Sequence, residues 1–100
     1  MTISINVNEA TNVVEIAIFG SFDFSLFHDF REAYAEFIGN RTHFSVDLSQ
    51  VEYLDSAALG MLISMKTALG ENSVVELVGA NDFIKNILMI SRFDKRFDIQ

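Results

Sequence analysis

The sequence predicts a single α/β domain built on a mostly parallel β-sheet with an antiparallel N-terminal edge. Short runs of β-branched residues alternate along the chain with longer segments whose apolar residues recur every three or four positions. These two periods are typical of strands and amphipathic helices. The resulting order is β-β-α-β-α-β-α-β, and short connections between alternating strands and helices indicate right-handed crossovers. A length of 100 residues suits one domain, covering residues 1–100.

The first two strands are expected to form the antiparallel edge. Apolar and polar residues alternate over residues 3–7, and residues 13–19 are rich in β-branched side chains. The stretch between them, residues 9–12, has the composition of a turn, so the two strands predict a hairpin. Gly20 and Ser21 are expected to end the second strand.

The period changes to that of a helix over residues 25–38. Ser25 is a candidate N-cap, because its hydroxyl oxygen can accept a hydrogen bond from a free N–H group of the first turn. Asp29 suits the positive end of the helix dipole, and Gly39 is a candidate for closing the C-terminus. The apolar face comprises Leu26, Phe27, Phe30, Ala33, Tyr34, Phe37 and Ile38.

The rest of the chain predicts three more strands and two more helices. A strand over residues 44–48 alternates apolar and polar side chains, and a helix follows over residues 56–69. The near-continuous apolar run at residues 74–78 predicts a strand buried on both faces. Asn81 or Asp82 is expected to cap the last helix, and residues 93–99 to form a last strand or loose edge segment. We expect the core to include Leu59, Leu62, Ile63, Val75, Leu77, Ile84 and Leu88.

Composition and charge exclude several classes of function. Fourteen acidic and seven basic residues give a net charge of −7, whereas a nucleic-acid binder needs a basic surface to neutralise phosphates. Cysteine is absent, which excludes disulfides and thiolate metal sites. The N-terminal residues do not resemble a signal peptide and no apolar run is long enough to span a bilayer, so we expect a cytoplasmic protein.

Motifs for catalysis, metals and cofactors are also missing. His28 and His43 lie far apart in the pattern and do not have metal-ligand spacing. The chain has no Gly-x-Ser-x-Gly motif around a nucleophilic serine, and its five glycines do not form a phosphate-binding loop. The sequence therefore predicts a protein that is not an enzyme, needs no cofactor and acts by binding other proteins.

The most informative segment runs from the third strand to the second helix. Functional sites of parallel sheets gather at loops after the carboxyl ends of strands, which here are residues 20–25 and 49–56. At the end of the second of these loops, Asp55 is suited to cap the helix and Ser56 occupies its first position. Ala57, Ala58 and Gly60 are small and leave room for close approach. Met61 and Met65, one helical turn apart, suit either the core or an adaptable binding surface.

This segment resembles the signature of STAS domains, the family of sulfate transporter and anti-sigma factor antagonist domains. The matching stretch is Asp47-Leu48-Ser49 followed by Asp55-Ser56-Ala57-Ala58-Leu59-Gly60, and Gly20-Ser21-Phe22-Asp23 is similar to the family's Gly-x-hydrophobic-Asp motif. The resemblance extends over essentially the whole chain and implies a STAS-like fold. One departure is that Ala57-Ala58 replaces the Ser-Gly or Ala-Gly often found in the family, which stiffens the helix start.

The resemblance to bacterial anti-sigma factor antagonists implies a function. In those proteins the serine after the aspartate is phosphorylated by a serine kinase of the anti-sigma type and restored by a PP2C-like phosphatase. Carried over, the phosphorylated residue is Ser56, and the unphosphorylated domain binds its partner through Asp23, Phe24, Asp55, Ala57, Ala58, Gly60 and Met61. The output would be the control of transcription by a sigma factor or another process such as biofilm regulation.

The same resemblance leaves a second interpretation open. Some stand-alone STAS subunits scaffold the ATPase of a membrane transporter, as in phospholipid-trafficking systems. Such a subunit would be a constitutive structural partner without a phosphorylation cycle. Neither interpretation specifies the oligomeric state.

Overall fold

The computed structural model describes residues 2–100, so the first residue of the predicted domain lies outside the described range. Within it no helix is long and apolar enough to cross a membrane. Short 3₁₀ turns at Phe24–Leu26 and Phe93–Lys95 precede a helix and a strand, respectively. The main elements in chain order are β1 (Ile3–Asn8), β2 (Val13–Phe22), α1 (Phe27–Ala35), β3 (His43–Leu54), α2 (Ser56–Leu69), β4 (Val74–Val78), α3 (Asp82–Ile90) and β5 (Asp98–Ile99).

The five strands form one mixed sheet whose spatial order, β1-β2-β3-β4-β5, follows the chain. β1 and β2 are antiparallel, and the remaining neighbours are parallel. The predicted fold class is therefore confirmed. Each of the three β-α-β crossovers advances one strand in the same direction, and right-handed crossovers of this kind place all three helices on the same face of the sheet.

Burial along the strands agrees with a sheet covered on one face only. Ile16, Val46 and Leu77 point into the core with no exposed surface. Their neighbours Glu15 and Asp47, which point the other way, are only half-buried. We call this second side the open face; it is formed by Ser4, Asn6, Asn8, Val13, Glu15, Ala17, His43, Ser45, Asp47, Val74, Glu76, Val78 and Asp98.

The open face corrects the expectation that β4 is buried on both sides. Val75 and Leu77 are buried, but Val74 is 38% exposed. An apolar run predicts burial on two faces only where helices cover both. Of the residues expected in the core, Leu59 is half-buried and Ile63 is 39% exposed. The remaining five are buried.

β2 and β3 are longer than predicted, which shortens both loops that follow them. β2 continues through Gly20 and Ser21 to Phe22, and β3 continues to Leu54 instead of ending at Leu48. The two strands stay paired to their ends through two shifts of register. Because bulges of this kind add residues to β3, Leu48, Val51 and Leu54 all point into the core although they lie three positions apart.

The start of α1 also differs from the sequence prediction. Ser25 is not the N-cap; it lies inside the 3₁₀ turn that precedes the helix, and the carboxylate of Asp23 caps that turn. α1 ends at Ala35, and Gly39, with a φ of +84°, reverses the chain after it. At α3 the side chain of Asn81 accepts a hydrogen bond from the N–H of Ile84 at 2.8 Å, so Asn81 is the cap.

Candidate functional site

The candidate site lies at the carboxyl edge of the sheet, where β2 and β3 end side by side. Phe22 and Leu54 are the last paired residues of the two parallel strands. The N–H of Asp55 donates a hydrogen bond to the carbonyl oxygen of Phe22 at 3.4 Å, which extends the pairing by one residue. Asp23 and Asp55 therefore leave the sheet as neighbours.

Asp55 organises the start of α2. Its carboxylate accepts a hydrogen bond from the N–H of Ala58 at 2.9 Å, and its carbonyl oxygen also accepts from that N–H, at 3.1 Å. The cap fixes Ser56 as the first residue of the helix, with an exposed side chain. The hydroxyl of Ser56 is thus presented to solvent beside the free N–H groups of a helix N-terminus, where negative charge is favoured.

Asp23, which follows the neighbouring strand β2, caps the 3₁₀ turn at Phe24–Leu26. Its carboxylate accepts hydrogen bonds from the N–H of Ser25, at 2.9 Å, and from the hydroxyl of Ser25. Both carboxylates at this edge are therefore engaged in capping the turn or helix that follows. They also make the surroundings of Ser56 negatively charged.

The outer surface of α2 continues away from Ser56 as an exposed stripe. Gly60, one turn further along, is exposed, and a Cβ placed there would meet no atom within 4 Å. Ile63 and Ser64 extend the stripe by another turn. Because Gly60 has no side chain and is exposed, a partner's backbone can approach the backbone of α2 closely at this position.

Two of the residues expected to contact a partner are buried. Ala58 has no exposed surface, so its side chain cannot belong to an interface in this conformation. Met61 is 5% exposed and Met65 is fully buried, which assigns both methionines mainly to the core. Ala57 is half-buried. These positions point towards the sheet or α1 because Ser56, Gly60 and Ile63 occupy the outward side of the helix.

An apolar patch lies beside this stripe, between α1 and α2. Phe24 is 67% exposed, and its ring stacks on that of Phe27 with centroids 5.6 Å apart. Next to the pair, a groove of about 140 Å³ is lined by Phe27, Phe30, Arg31, Tyr34, Met61 and Ser64. Met61 thus contributes to the floor of the groove even though little of it is exposed.

Burial raises the pKa of Tyr34, one of the residues that line this groove. Removal from water raises the pKa of its phenol above the ordinary value of 10.0, and the nearby Arg31 guanidinium lowers it to a smaller extent. The phenol is therefore neutral in the folded protein at physiological pH. It contributes a polar but uncharged wall to the groove.

The sequence did not indicate every residue of this surface. Ile63 and Ser64 were not singled out as site residues, since Ile63 fits the apolar period of a core face, whereas Phe27 suited either the core or a docking patch. Only the relative positions of α1 and α2 expose them. Among residues 2–100, no cluster of three or more His, Cys, Asp or Glu side chains is placed to hold a metal ion.

Comparison with known proteins agrees with the fold and with the motif. Residues 5–100 match the family model described as Mlab, STAS domain. A STAS-domain containing protein of Pseudomonas aeruginosa (strain UCBPP-PA14) is 41% identical over 85 residues, which are 84% of each chain.

Solved structures show the same architecture at low identity. The anti-sigma factor antagonist SpoIIAA in its unphosphorylated form superposes with a TM-score of 0.77 and 15% identity, covering 98% of this chain and 86% of that one. The phosphorylated form of SpoIIAA, a cell fate determinant of Bacillus, gives a TM-score of 0.75 at 15% identity, with coverages of 98% and 90%. A sulfate transporter family protein from Wolinella succinogenes gives 0.72 at 16% identity, with coverages of 86% and 75%.

The family model spans nearly the whole chain, and the curated relative exceeds 40% identity over most of it. The order of elements along the chain and the capped start of α2 are features that the sequence predicted. The chain belongs to the STAS-domain family.

Proposed function

We propose that this domain is a phosphorylation-controlled binding module of a bacterial partner-switching system. In its unphosphorylated state it binds an anti-sigma-type serine kinase, or a regulator that contains one, and phosphorylation of Ser56 releases that partner. A PP2C-like phosphatase restores the binding state. The observation that carries the proposal is the exposed hydroxyl of Ser56 at the capped start of α2.

The physical chemistry of this position favours a switch of binding over a switch of folding. A phosphate on Ser56 would lie at the positive end of the α2 dipole, which stabilises negative charge by about 0.3–1 kcal/mol. It would also add about −1.5 to −2 charges to a surface that already holds Asp23 and Asp55. The domain can therefore accept the modification, whereas a partner packed closely on Gly60 would meet a new, unpaired charge.

The proposed interface joins the outer stripe of α2 to the apolar patch. Phe24 and Phe27 supply apolar area, Ser56 and Gly60 supply close approach, and the groove beside Met61 can receive one apolar side chain of the partner. Exposed aromatic residues are frequent anchors of protein interfaces. The proposed role is non-enzymatic and cofactor-free, and the proposed location is the cytoplasm.

The relatives support the proposal in two ways. The solved anti-sigma factor antagonist SpoIIAA shares the fold and exists in phosphorylated and unphosphorylated forms. The sequence motif that contains Ser56 is also the one in which such antagonists carry their phosphorylated serine. The regulated output in this chain would be a sigma factor or another switched process such as biofilm formation.

A second candidate function is supported by a different observation. The matching family model is described as Mlab, and the fold is shared with a sulfate transporter family protein. As a constitutive scaffold subunit of a membrane transporter ATPase, the domain would use the same α1–α2 surface without phosphorylation. Kinase and phosphatase genes beside its own would favour the switch, and transporter genes would favour the scaffold.

Intact-mass spectrometry distinguishes the two functions. The protein is purified from its own cells, and also incubated with ATP and the cognate serine kinase. We expect the wild-type protein to gain the mass of one phosphate and Ser56→Ala to gain none. Ser64→Ala removes another exposed serine of α2 and serves as the matched control, which should still gain one phosphate. Equal labelling of Ser56→Ala and the wild-type protein would contradict the proposal.

A further inference from the structure

The open face of the sheet is separate from the candidate site and has its own chemistry. One row of paired residues crosses all five strands: Asn6 faces Glu15, Glu15 faces Ser45, Ser45 faces Glu76, and Glu76 faces Asp98. A second row contains Ser4, Ala17, Asp47 and Val78. Parts of both rows border a shallow depression of about 330 Å³.

The open face differs from the rest of the molecule in its lack of lysine and arginine. The open face carries the four carboxylates of Glu15, Asp47, Glu76 and Asp98, whereas none of the seven lysines and arginines lies on a strand. The two ion pairs found within residues 2–100 join Arg41 to Glu9 and Arg96 to Glu71, away from this face. Within residues 2–100 the open face therefore carries four carboxylates and one histidine, His43, but no lysine or arginine.

Two of these carboxylates belong to neighbouring strands. Glu76 and Asp98 are direct partners in the parallel ladder of β4 and β5, so their negative charges concentrate at one end of the row. Glu15 accepts a hydrogen bond from the side-chain amide of Asn6 at 2.9 Å, and Asp47 accepts one from the N–H of Ser49 at 2.9 Å.

Apolar surface surrounds the acidic row. Val74 is 38% exposed, and Val78 and Ala17 are half-buried. Adjacent strands lie about 4.8 Å apart, so the row from Asn6 to Asp98 spans about 19 Å. A helix with its side chains is about 10–12 Å across and fits on this surface as a second layer would.

We propose that the open face is a docking surface for a lysine- and arginine-rich amphipathic helix of a partner protein. The apolar side of that helix would pack on Val74, Val78 and Ala17, and its cations would neutralise Glu15, Glu76 and Asp98. Charge decides among the occupants. A nucleic acid, an anionic membrane or a second copy of this face would each bring like charges together, whereas a cationic helix brings opposite charges to Glu76 and Asp98. Binding at the open face does not depend on the phosphorylation of Ser56.

Nuclear magnetic resonance titration of the complete, ¹⁵N-labelled chain tests this surface directly. The probe is a synthetic amphipathic helical peptide of leucine and lysine, with a leucine–glutamate peptide of the same pattern as its control. We expect the backbone signals of Glu15, Ala17, Ser45 and Asp47 to shift with the lysine peptide only. The Glu15→Gln/Glu76→Gln variant should bind it about two- to thirty-fold more weakly, since it loses two exposed ion pairs with the peptide.

A control variant separates the open face from net charge. Glu32→Gln/Glu36→Gln removes the same charge from exposed positions of α1 and its C-terminal end and should change the affinity by less than about twofold. Equal weakening in the two variants, or shifts confined to α1 and α2, would overturn the proposal. So would shifts of the open face on self-dilution or with phosphatidylglycerol vesicles, because the occupant would then be a second copy or a membrane. The phosphorylation of Ser56 is measured separately, so either proposal can fail alone.

Discussion

The carboxylate of Asp55 accepts a hydrogen bond from the N–H of Ala58 at 2.9 Å, and this contact sets where α2 begins. As a result Ser56 is the first helical residue, exposed and next to unpaired backbone donors. Because the N–H of Asp55 also pairs with the carbonyl oxygen of Phe22, the cap joins the start of the helix to the end of the neighbouring strand. The position of the candidate switch therefore depends on one side chain.

Removal of that cap should destabilise the protein by a defined amount. Asp55→Ala is expected to lower the free energy of unfolding by about 1 kcal/mol, the usual contribution of an N-cap side chain. Asp55→Asn retains an acceptor oxygen and should cost only a few tenths of a kcal/mol. Urea denaturation followed by circular dichroism measures both. Equal losses in the two variants would show that charge, and not capping, accounts for the effect.

Two neighbouring residues of α2 should differ sharply in their contribution to stability. Leu62 has no exposed surface, whereas Ile63 is 39% exposed. Leu62→Ala should cost about 2–5 kcal/mol because it opens a cavity in the core, and Ile63→Ala should cost about 1 kcal/mol or less. Chemical denaturation of the two variants is the measurement. A larger loss for Ile63→Ala would place that side chain in the core and remove it from the proposed interface.

The buried phenol of Tyr34 should make stability depend on alkaline pH. Its pKa is raised in the folded protein, chiefly by burial, so the folded state holds its proton more tightly than the unfolded state does. That stability is fully present below pH 10.0 and is lost as the pH rises through the folded pKa. Tyr34→Phe should flatten the fall in the free energy of unfolding above about pH 10. Tyr53→Phe, which removes a 52% exposed phenol, is the matched control.

Phe24 should matter for binding and hardly at all for folding. With 67% of its surface exposed, Phe24→Ser is expected to change the free energy of unfolding by about 0.5 kcal/mol or less. Its affinity for the partner should fall at least tenfold, the effect of losing a central aromatic anchor, about 1.4 kcal/mol or more. Phe83→Ser, at a 63% exposed aromatic of α3, is the matched control. Unchanged affinity in Phe24→Ser would remove the apolar patch from the interface.

The sequence was sufficient to predict the order of elements and the position of Ser56 at a helix start capped by Asp55, because strand and helix periods and N-cap chemistry are local properties. It did not reveal which side chains of α2 point outward, since apolar residues occur all round that helix and Ile63 resembles Leu62. The open face is likewise a property of the topology: Val74 looks like a core residue until the strand order places every helix on the other side.

Lys66, in contrast, is more buried than the sequence predicts. Its position in the sequence predicts a charged end that reaches solvent. In the structure its side chain is buried, and its ammonium group donates hydrogen bonds to the carbonyl oxygen and the hydroxyl of Ser73. The carbonyl that receives a buried lysine belongs to a loop seven residues away, and residue periodicity does not specify such a contact.

Calorimetric titration of the cognate serine kinase against unmodified, Ser56-phosphorylated and Ser56→Asp protein tests the central claim most directly. We expect phosphorylation to weaken binding by about 30-fold to several thousand-fold, because an unpaired charge in such an interface costs about 2–5 kcal/mol. Ser56→Asp should weaken it less, and Ser56→Ala should bind at least as tightly as the unmodified protein. Thermal melts of each form should stay close together, which excludes damage to the α2 cap. Equal affinities across the series would contradict the switch and favour the constitutive scaffold.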